Sequence, residues 1–402
     1  MNMLTSTLPL KQIIIRFRLA IYFYWALSAA FLGYYVIYFE DLNRISIAQI
    51  GVMMSLYTFS ALVGQNVFGY ISDKMRSIRW PVMMGSFLLG LILISFPFQR
   101  NIVWIYISIA FIGFLQQPIG PMLDSWCLKH LSHHDAEHVY GKIRAFGSLG
   151  WATSGLITAW FITRLGWNMM SFLATINAVV LIIVAFRIPD IPVGSAQDKR
   201  SADYLTPLKA YKKLFANSDY LHILLVIFLL FLGVQTTYNY LGLIVKDTGG
   251  TVINLGFTYL VDAGSEIPAM FISVWLLSRY PPKNMMIWAV LVYLLRFGLI
   301  LYFRSPQVVI LSSVIHGMAF GLMLTSLRKY IFSIAPKNLQ TSALTISDAV
   351  LLSLTIIIGG TVGGFIIQNY SVMTLMGFCM GSSFLALLLL IFRRKTTNVP
   401  SE

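Results

Sequence analysis

The sequence predicts an all-α integral membrane protein with about twelve transmembrane helices in two pseudo-symmetric bundles of six. The chain of 402 residues is 57% hydrophobic, and its mean hydropathy is +0.76. Only 11% of its residues are charged, whereas soluble proteins carry about 25%. Apolar runs of about 20 residues, long enough to cross a bilayer as helices, recur along the whole length. These observations together exclude an ordinary soluble domain.

The apolar runs form two groups of six, separated by a polar stretch. The first group covers 19–39, 47–70, 80–98, 102–126, 143–163 and 169–187, and the second 220–245, 253–278, 284–303, 306–330, 341–366 and 372–392. The chain is therefore predicted to divide into an N-terminal bundle (1–187), a cytoplasmic linker (188–219) and a C-terminal bundle (220–402). Six-plus-six halves are a transporter architecture, with the substrate site near the midplane between them.

Basic residues are distributed unevenly between the loops. With the N-terminus inside, 22 of the 29 Lys and Arg lie on cytoplasmic segments and 5 on outer ones, while Arg144 and Arg296 fall within or at the edge of helices. The positive-inside rule then predicts a multi-pass protein of the cell membrane with both termini in the cytoplasm. The same bias explains the net charge of +14 without a nucleic-acid partner. The N-terminus lacks the pattern of a cleaved signal peptide.

Motifs for catalysis and nucleotide binding are missing from the sequence. A P-loop, GxSxG, HExxH and a glycine-rich nucleotide fingerprint are all absent, so we predict neither an enzyme nor ATP drive from this chain. Cys127 and Cys379 lie in or beside apolar helices. Their spacing does not match a metal-binding motif, and we do not expect a disulfide. Four histidines at 130, 133, 134 and 138 could bind zinc, but without supporting ligands we interpret them as a solvated loop cluster. No metal and no cofactor are expected.

The candidate functional residues among the ionisable groups of the predicted helices are Asp124, Arg144, Asp262, Glu266, Arg296, His316 and Asp348. Each costs roughly 2.5–3.5 kcal/mol on insertion scales, so each is a functional hypothesis. Asp262 and Glu266 are four residues apart, which places them on one face of the eighth helix. Pro268 can kink that helix toward a cavity. The alternative is a carboxylate buried against Arg296 for structure.

The signs of these charges suggest ion coupling. The predicted helices contain two arginines and four carboxylates, so two carboxylates lack a fixed cation. A carboxylate removed from water, with a like-charged neighbour, holds a proton more readily and can exchange it near physiological pH. His316 could join such a relay. A coordinated sodium ion could fill the same deficit, but we expect a proton gradient to be the energy source.

Asp124 lies at the end of the fourth predicted helix, and Arg144 lies at the start of the fifth. The two residues therefore lie at a similar depth in the membrane. We interpret them as a charge pair on the cavity floor, with Trp151 two turns further into the membrane. The alternative is that Arg144 extends to the interface as one more cytoplasmic positive charge. Asn239 and Tyr240 are further candidates for solute contact. Trp25 and Tyr238 could also stack on a solute, although Trp and Tyr near helix ends usually form interfacial belts.

The loop between the second and third helices, Gly69-x-x-x-Asp73-Lys74, resembles the signature loop of the major facilitator superfamily. Arg76 stands where that loop usually has a second glycine. The resemblance implies that Gly69, Asp73 and Lys74 form a gating loop, in which Asp73 acts across the two halves to favour one gate state.

The fifth helix is similar to that of a narrower group, the lactose, nucleoside and phenylpropionate permeases. The shared pattern is Tyr140-Gly141-x-x-Arg144-x-Phe146-Gly147. The resemblance implies that Arg144 pairs with the helix-four carboxylate, here Asp124, and grips the solute. It also implies that the solute stacks on Trp151.

Stretches of the second half, SEIP (265–268), LLRF (294–297) and HGMAFGL (316–322), look like the phenylpropionate-permease branch. Arg296 and His316 match the proton-handling arginine and histidine of lactose permease. Ser313 and Ala319 replace the lysine and carboxylate that flank that histidine there. The resemblance therefore leaves Glu266 or Asp262 as the coupling carboxylate.

The combined prediction is a monomeric secondary transporter, a proton-coupled symporter that imports a small organic solute by alternating access. The solute would be a sugar, a nucleoside or an aromatic acid. One alternative is a drug or metabolite efflux antiporter, although residues 145–160 lack the glycine- and proline-rich run that such pumps usually carry in the fifth helix. Another is a non-transporting membrane sensor that keeps the carrier fold.

Overall fold

The computed structural model describes residues 9–42, 45–190, 212, 214–336 and 339–392. Within these ranges the chain forms helices and turns and no strand. Twelve helical segments among them are long and apolar enough to cross a bilayer. The predicted fold class is therefore confirmed, and the protein is a multi-pass membrane protein. Most of the predicted linker, residues 191–211 and 213, lies outside the described residues.

Among its described residues, the first half contains seven α-helices: α1 (Leu10–Leu32), α2 (Tyr35–Asp41), α3 (Ile47–Met75), α4 (Arg79–Ser95), α5 (Ile102–Ser132), α6 (Tyr140–Leu165) and α7 (Asn168–Phe186). The second half contains α8 (Ser218–Asn239), α9 (Leu241–Asp247), α10 (Val252–Leu277), α11 (Pro282–Phe303), α12 (Pro306–Ile334), α13 (Gln340–Ala349), α14 (Thr355–Asn369) and α15 (Val372–Phe392). A π-helical turn at Val350–Leu354 joins α13 to α14.

The first helices of the structure begin and end at residues other than those predicted from the apolar runs. The first run was predicted at 19–39, but α1 begins at Leu10 and ends at Leu32, and α2 then completes the span. The polar first turns were missed because hydropathy marks only the part of a helix that matches the bilayer core. The break after Leu32 was missed because it lies within an uninterrupted apolar run.

Short connections make successive spans antiparallel, so the loops gather at two ends of the molecule. We call the end that carries residues 76–78, 133–139, 187–190, 214–217, 278–281, 335–336 and 339 the linker face. The end that carries residues 42, 45–46, 96–101, 166–167, 248–251, 304–305 and 370–371 is the opposite face.

The two halves meet along α3 against α14 and α6 against α10. The Ser55 hydroxyl donates to the Ile357 carbonyl at 2.6 Å. A Cβ on Gly51 would lie 2.2 Å from the Gly360 carbonyl oxygen, so only glycine permits this approach of α3 to α14. Gln368 accepts a hydrogen bond from the backbone of Ala48 at 2.9 Å.

The protein is closed at the opposite face and open at the linker face. The hydrogen bonds and ion pairs of Ala48, Ser55, Lys246 and Tyr259 join the halves, and all of them lie in the half of the membrane near the opposite face. On the linker side, a cavity of about 640 Å³ is walled by Pro121, Asp124, Ser125, Leu128, Lys129, Ser132 and Glu137. All of these residues lie on α5 or in the turn that follows it, so the cavity is lined by the first half alone.

The tight turn after α3 forms without the glycine that the family usually has there. Arg76 ends the helix in the left-handed region, with φ 51° and ψ 36°. The backbone N–H of Ser77 donates to the Ser72 carbonyl at 3.1 Å, and the Ser72 hydroxyl donates back to the Ser77 carbonyl at 2.9 Å. These two bonds hold a conformation that costs a non-glycine residue about 1 kcal/mol.

Candidate substrate and coupling site

Asp124 and Arg144 form the predicted pair on the first-half wall of the cavity. Arg144 lies one turn into α6, and its Nε is 3.9 Å from Asp124 Oδ2, with each side chain about one-third exposed (36% and 33%). Tyr140, at the start of the same helix, is hydrogen-bonded to the Asp124 carboxylate through its hydroxyl. Both charged groups therefore face the open cavity, and their role in binding stays a prediction.

Arg144 also rests on an aromatic ring that the sequence reasoning did not select. Its guanidinium carbon lies 4.6 Å from the centroid of the Trp25 ring, within the range of a cation–π interaction. A Cβ on Gly147 would lie 2.5 Å from an Arg144 nitrogen and 2.6 Å from the Trp25 ring. The glycine of the family pattern thus makes room for the arginine and the indole together.

Aromatic rings continue from this pair into the second half. The centroid of the Trp151 ring on α6 lies 6.1 Å from that of Trp25, 5.8 Å from that of Tyr259 and 6.4 Å from that of Tyr238. Tyr238 in turn stacks on His316, at 5.9 Å and 23°. We call Trp25, Trp151, Tyr238 and His316 the aromatic row. The buried indole N–H of Trp151 has no hydrogen-bond partner among the described residues, and its role in solute binding stays a prediction.

Charged residues of the second half surround the far end of the aromatic row. Asp262 and Arg296 are 3% and 2% exposed, and His316 Nε2 lies 3.9 Å from Asp262 Oδ1. Asp262 Oδ1, Arg296 Nε and His316 Nδ1 are buried without hydrogen-bond partners among the described residues. Buried charges are normally fully hydrogen-bonded. The cluster is therefore incompletely satisfied, as expected of groups that exchange a proton or meet a ligand.

Glu266 is less buried than Asp262 and interacts with the first half of the chain. It is half-buried, one turn beyond Asp262 on α10, as the spacing predicted. It interacts electrostatically with Arg144 across the gap between the halves. Glu266 thus stands between the two charged groups of the site.

The structure changes the charge count made from the sequence. Asp348 Oδ2 lies 3.8 Å from a terminal nitrogen of Arg328, with the two side chains 40% and 56% exposed. The sequence-based count places Arg328 among the cytoplasmic basic residues, whereas in the structure it lies on α12 beside the end of α13. The expected excess of two carboxylates therefore falls to one, and it lies in the set of Asp262, Glu266 and Arg296.

Tyr240 is placed away from the aromatic row, contrary to its predicted role in solute binding. It is fully buried, and its hydroxyl donates to the Gly360 carbonyl at 2.6 Å. A Cβ on Gly363 would lie 2.6 Å from its ring, so Tyr240 packs into the glycine-rich surface of α14. Its neighbour Asn239 is half-buried and has a buried side-chain nitrogen without a partner among the described residues, and its role in solute binding stays a prediction.

The predicted gating loop lies at the linker face. Asp73 and Lys74 are exposed in the last turn of α3. Gly69 and Asp73 line a cavity of about 260 Å³, and all of its lining residues belong to the first half. The action of Asp73 across the halves stays a prediction.

The histidine cluster needs one correction. His133, His134 and His138 are exposed, as expected for a solvated loop, but His130 is 5% exposed. A ring nitrogen of His130 lies 2.8 Å from the Pro189 carbonyl, which also accepts from the Trp126 indole at 3.2 Å. His130 therefore anchors the start of the linker segment to α5.

Sequence reasoning did not select several aromatic residues that the structure brings to the site. For Trp25 and Tyr238 the sequence leaves solute stacking and an interfacial belt open, and it does not single out Tyr259 and Tyr293. The Tyr293 ring lies edge-on to His316 at 5.6 Å, and its buried hydroxyl has no partner among the described residues. The available signal was the mid-helix position of Tyr259 and Tyr293, where an interfacial belt is not expected.

Comparison with known proteins agrees with this architecture. The model of the MFS_1 like family matches residues 14–378. The maltose permease of Geobacillus stearothermophilus is 25% identical over 367 residues, which cover 90% of each chain. The nucleoside permease NupG of Escherichia coli is 21% identical over 343 residues, covering 81% of this chain and 80% of the relative.

Solved structures share the fold at low sequence identity. The nucleoside transporter NupG superposes with a TM-score of 0.82 at 17% identity, covering 95% of this chain and 100% of the other. A D-xylose–proton symporter superposes with a TM-score of 0.67 at 15% identity, covering 96% and 98%. The family match spans most of the chain and includes the helices that carry the site. The chain therefore belongs to the MFS_1 like family of the major facilitator superfamily and is a secondary transporter.

Proposed function

We propose that this transporter is a proton-coupled symporter that imports a ring-bearing organic solute, a sugar, a nucleoside or an aromatic acid, across the cell membrane. The observation that carries the proposal is the aromatic row. It connects the Asp124–Arg144 pair in the first half with Asp262, Arg296 and His316 in the second. A solute held against these rings touches both halves at once, and alternating access requires such a shared site.

The chemistry of the first-half wall suits a ring that carries polar groups. The face of a sugar or base can stack on Trp151, while its hydroxyl groups reach the carboxylate of Asp124 and the guanidinium of Arg144. The unpartnered indole N–H of Trp151 adds a donor. Relatives named as maltose, nucleoside, lactose and sucrose permeases support the sugar and nucleoside classes.

The second half supplies the proton site in this proposal. Three carboxylates, Asp124, Asp262 and Glu266, face only the cations Arg144 and Arg296, so one carboxylate binds a proton when no metal cation occupies the site. Glu266 is the half-buried member and faces Arg144, so its charge is felt in the solute site. Protonation of Glu266 and solute binding then favour one another. Coupling needs such reciprocity.

The positive-inside bias supports a cytoplasmic position for both termini and for the predicted linker 188–219. The linker face is then cytoplasmic, and the structure corresponds to a state open to the cytoplasm. Import requires the opposite face to open and the linker face to close before the solute is taken up.

Uptake into proteoliposomes tests the proposal. Radiolabelled maltose, sucrose, lactose, uridine and phenylpropionate are offered with an inwardly directed proton gradient, and in parallel with a sodium gradient at equal pH. We expect accumulation of one solute class with the proton gradient only. Accumulation with sodium only would overturn proton coupling, and a lack of counterflow for every solute would favour a non-transporting sensor.

A further inference from the structure

A hydrogen bond between the halves starts at a tyrosine beside the aromatic row. The Tyr259 hydroxyl on α10 donates to the Gly33 carbonyl at 2.8 Å. Gly33 lies where the first span is broken, between the end of α1 at Leu32 and the start of α2 at Tyr35. The break leaves this carbonyl outside both helical ladders, so it is available to the tyrosine.

The same tyrosine touches the candidate solute surface. Its ring centroid lies 5.8 Å from that of Trp151 and 6.3 Å from that of Tyr238. It is 3% exposed and precedes Asp262 by less than one turn on α10. A single rigid side chain therefore joins the wall of the site to a contact that holds the opposite face closed.

We infer that Tyr259 is the positioning residue that couples occupancy of the aromatic row to opening of the opposite face. The inference deepens the proposed function and rests on it for the identity of the occupant as a ring-bearing solute. Opening the opposite face separates α1 from α10 and must break the bond from Tyr259 to Gly33. A solute against Trp151 limits where the Tyr259 ring can lie. The solute therefore binds the closed and open states with different affinity, and this difference shifts their populations.

The chain contains a matched control for this bond. The Tyr34 hydroxyl donates to the Gly155 carbonyl, and both residues belong to the first half. The Tyr34 ring lies edge-on to Tyr259 at 5.9 Å. Tyr34→Phe and Tyr259→Phe thus remove the same kind of bond in the same region, but only the second bond joins the halves.

A cysteine at Ile37 reports on the opposite face. Ile37 on α2 is buried, and a Cβ on Gly242 of α9 would lie 2.4 Å from its side chain, so Ile37 packs across the halves. The reporter is Ile37→Cys with Cys127 and Cys379 replaced by alanine. The purified full-length protein in detergent is labelled with a charged maleimide, and the rate is measured without any solute.

Tyr259→Phe is expected to raise the labelling rate about three- to tenfold, because it removes one hydrogen bond that stabilises the closed state. Tyr34→Phe is expected to leave the rate within about twofold. Gly33→Ala displaces the acceptor of the same bond, because its Cβ would lie 2.6 Å from the Ala29 carbonyl oxygen at the end of α1 and 3.0 Å from the Tyr259 ring. It should raise the rate as Tyr259→Phe does. Equal rates for Tyr259→Phe and the parent reporter would overturn the inference.

A double-mutant cycle tests the link to the site. Trp151→Phe should change the labelling rate while Tyr259 keeps its hydroxyl, and it should have little further effect in Tyr259→Phe. The same effect of Trp151→Phe in both backgrounds would also overturn the inference. Because labelling needs no solute, failure of the transport proposal would be seen separately, as absent uptake by the unmodified protein.

Discussion

At the scale of single residues, the glycine at 147 decides how the first-half wall is built. It stands on α6 between Arg144 and Trp25, where an added methyl group would overlap both. Gly141, one turn before Arg144 on the same helix, has no atom within 4 Å of the position of an added Cβ. The two glycines therefore form a matched pair, of which only one affects the site.

Gly147→Ala should lower the affinity for the transported solute by about tenfold, since overpacking of this kind costs about 1–3 kcal/mol. The flexible end of Arg144 and the Trp25 ring can shift, so the thermal unfolding temperature should change little. Gly141→Ala should change neither. Isothermal titration and a thermal melt of both variants decide the matter, and equal affinity in the two variants would contradict the assignment.

Glu266 is the residue on which coupling depends in the proposed mechanism. Glu266→Gln imitates a permanently protonated carboxyl, so it should abolish accumulation against a gradient while solute exchange in preloaded vesicles survives. Asp348→Asn is the control, because that carboxylate has Arg328 for a partner outside the site. It should retain most of the accumulation. If Glu266→Gln accumulates solute as well as the unmodified protein does, Asp262 becomes the next candidate.

At the scale of elements, sequence patterns predicted the spans well and their interruptions poorly. Spacing placed Asp262 and Glu266 on one face, and the ends of two successive helices placed Asp124 beside Arg144, because both inferences depend only on local helix geometry. The breaks at Gly33 and at Val350–Leu354 lie inside apolar runs, where the residues at the break are as hydrophobic as those of the helices around them. Hydropathy therefore cannot locate these breaks. Which aromatic rings meet depends on packing between halves that are distant in sequence.

At the scale of the whole molecule, the closed face carries an ion-pair latch between the halves. Lys246 at the end of α9 lies 2.6 Å from Asp41 Oδ1 and also contacts Glu40, both at the end of α2. Partial burial lowers the pKa of Lys246, but its hydrogen bonds to Asp41 and Glu40 outweigh this and leave the pKa raised. Because the pKa of Lys246 is raised in the folded protein, the ion pair contributes its full stability at any pH below the ordinary lysine pKa. That contribution is lost only as the pH rises through the raised pKa. The lysine's titration therefore cannot cause pH dependence between about pH 5 and 8.

Lys246→Ala should open the opposite face, raising the labelling of Ile37→Cys roughly two- to fivefold at low salt, as expected for exposed pairs worth at most about 1 kcal/mol. The difference from the parent should shrink at about 1 M salt, where charges are screened. Arg304→Ala is the control, because that arginine lies on the same face and its side chain donates to the nearby Leu301 carbonyl of its own half. A salt-independent effect would argue against an electrostatic latch.

The orientation of the whole molecule follows from its charge distribution and can be tested independently of transport. The linker face should be cytoplasmic, as the excess of basic residues on its segments predicts. Exposed positions serve best as labelling sites: His134 between α5 and α6 for the linker face, and Asp247 at the end of α9 for the opposite face. The neighbouring Thr248 is 7% exposed and hydrogen-bonded to the Ile244 carbonyl, so a cysteine there would report on burial rather than on sidedness. In intact cells, Asp247→Cys should react with an impermeant maleimide, and His134→Cys should react only after the membrane is opened. The reverse pattern would place the linker face outside, and the structure would then represent a state open to the exterior.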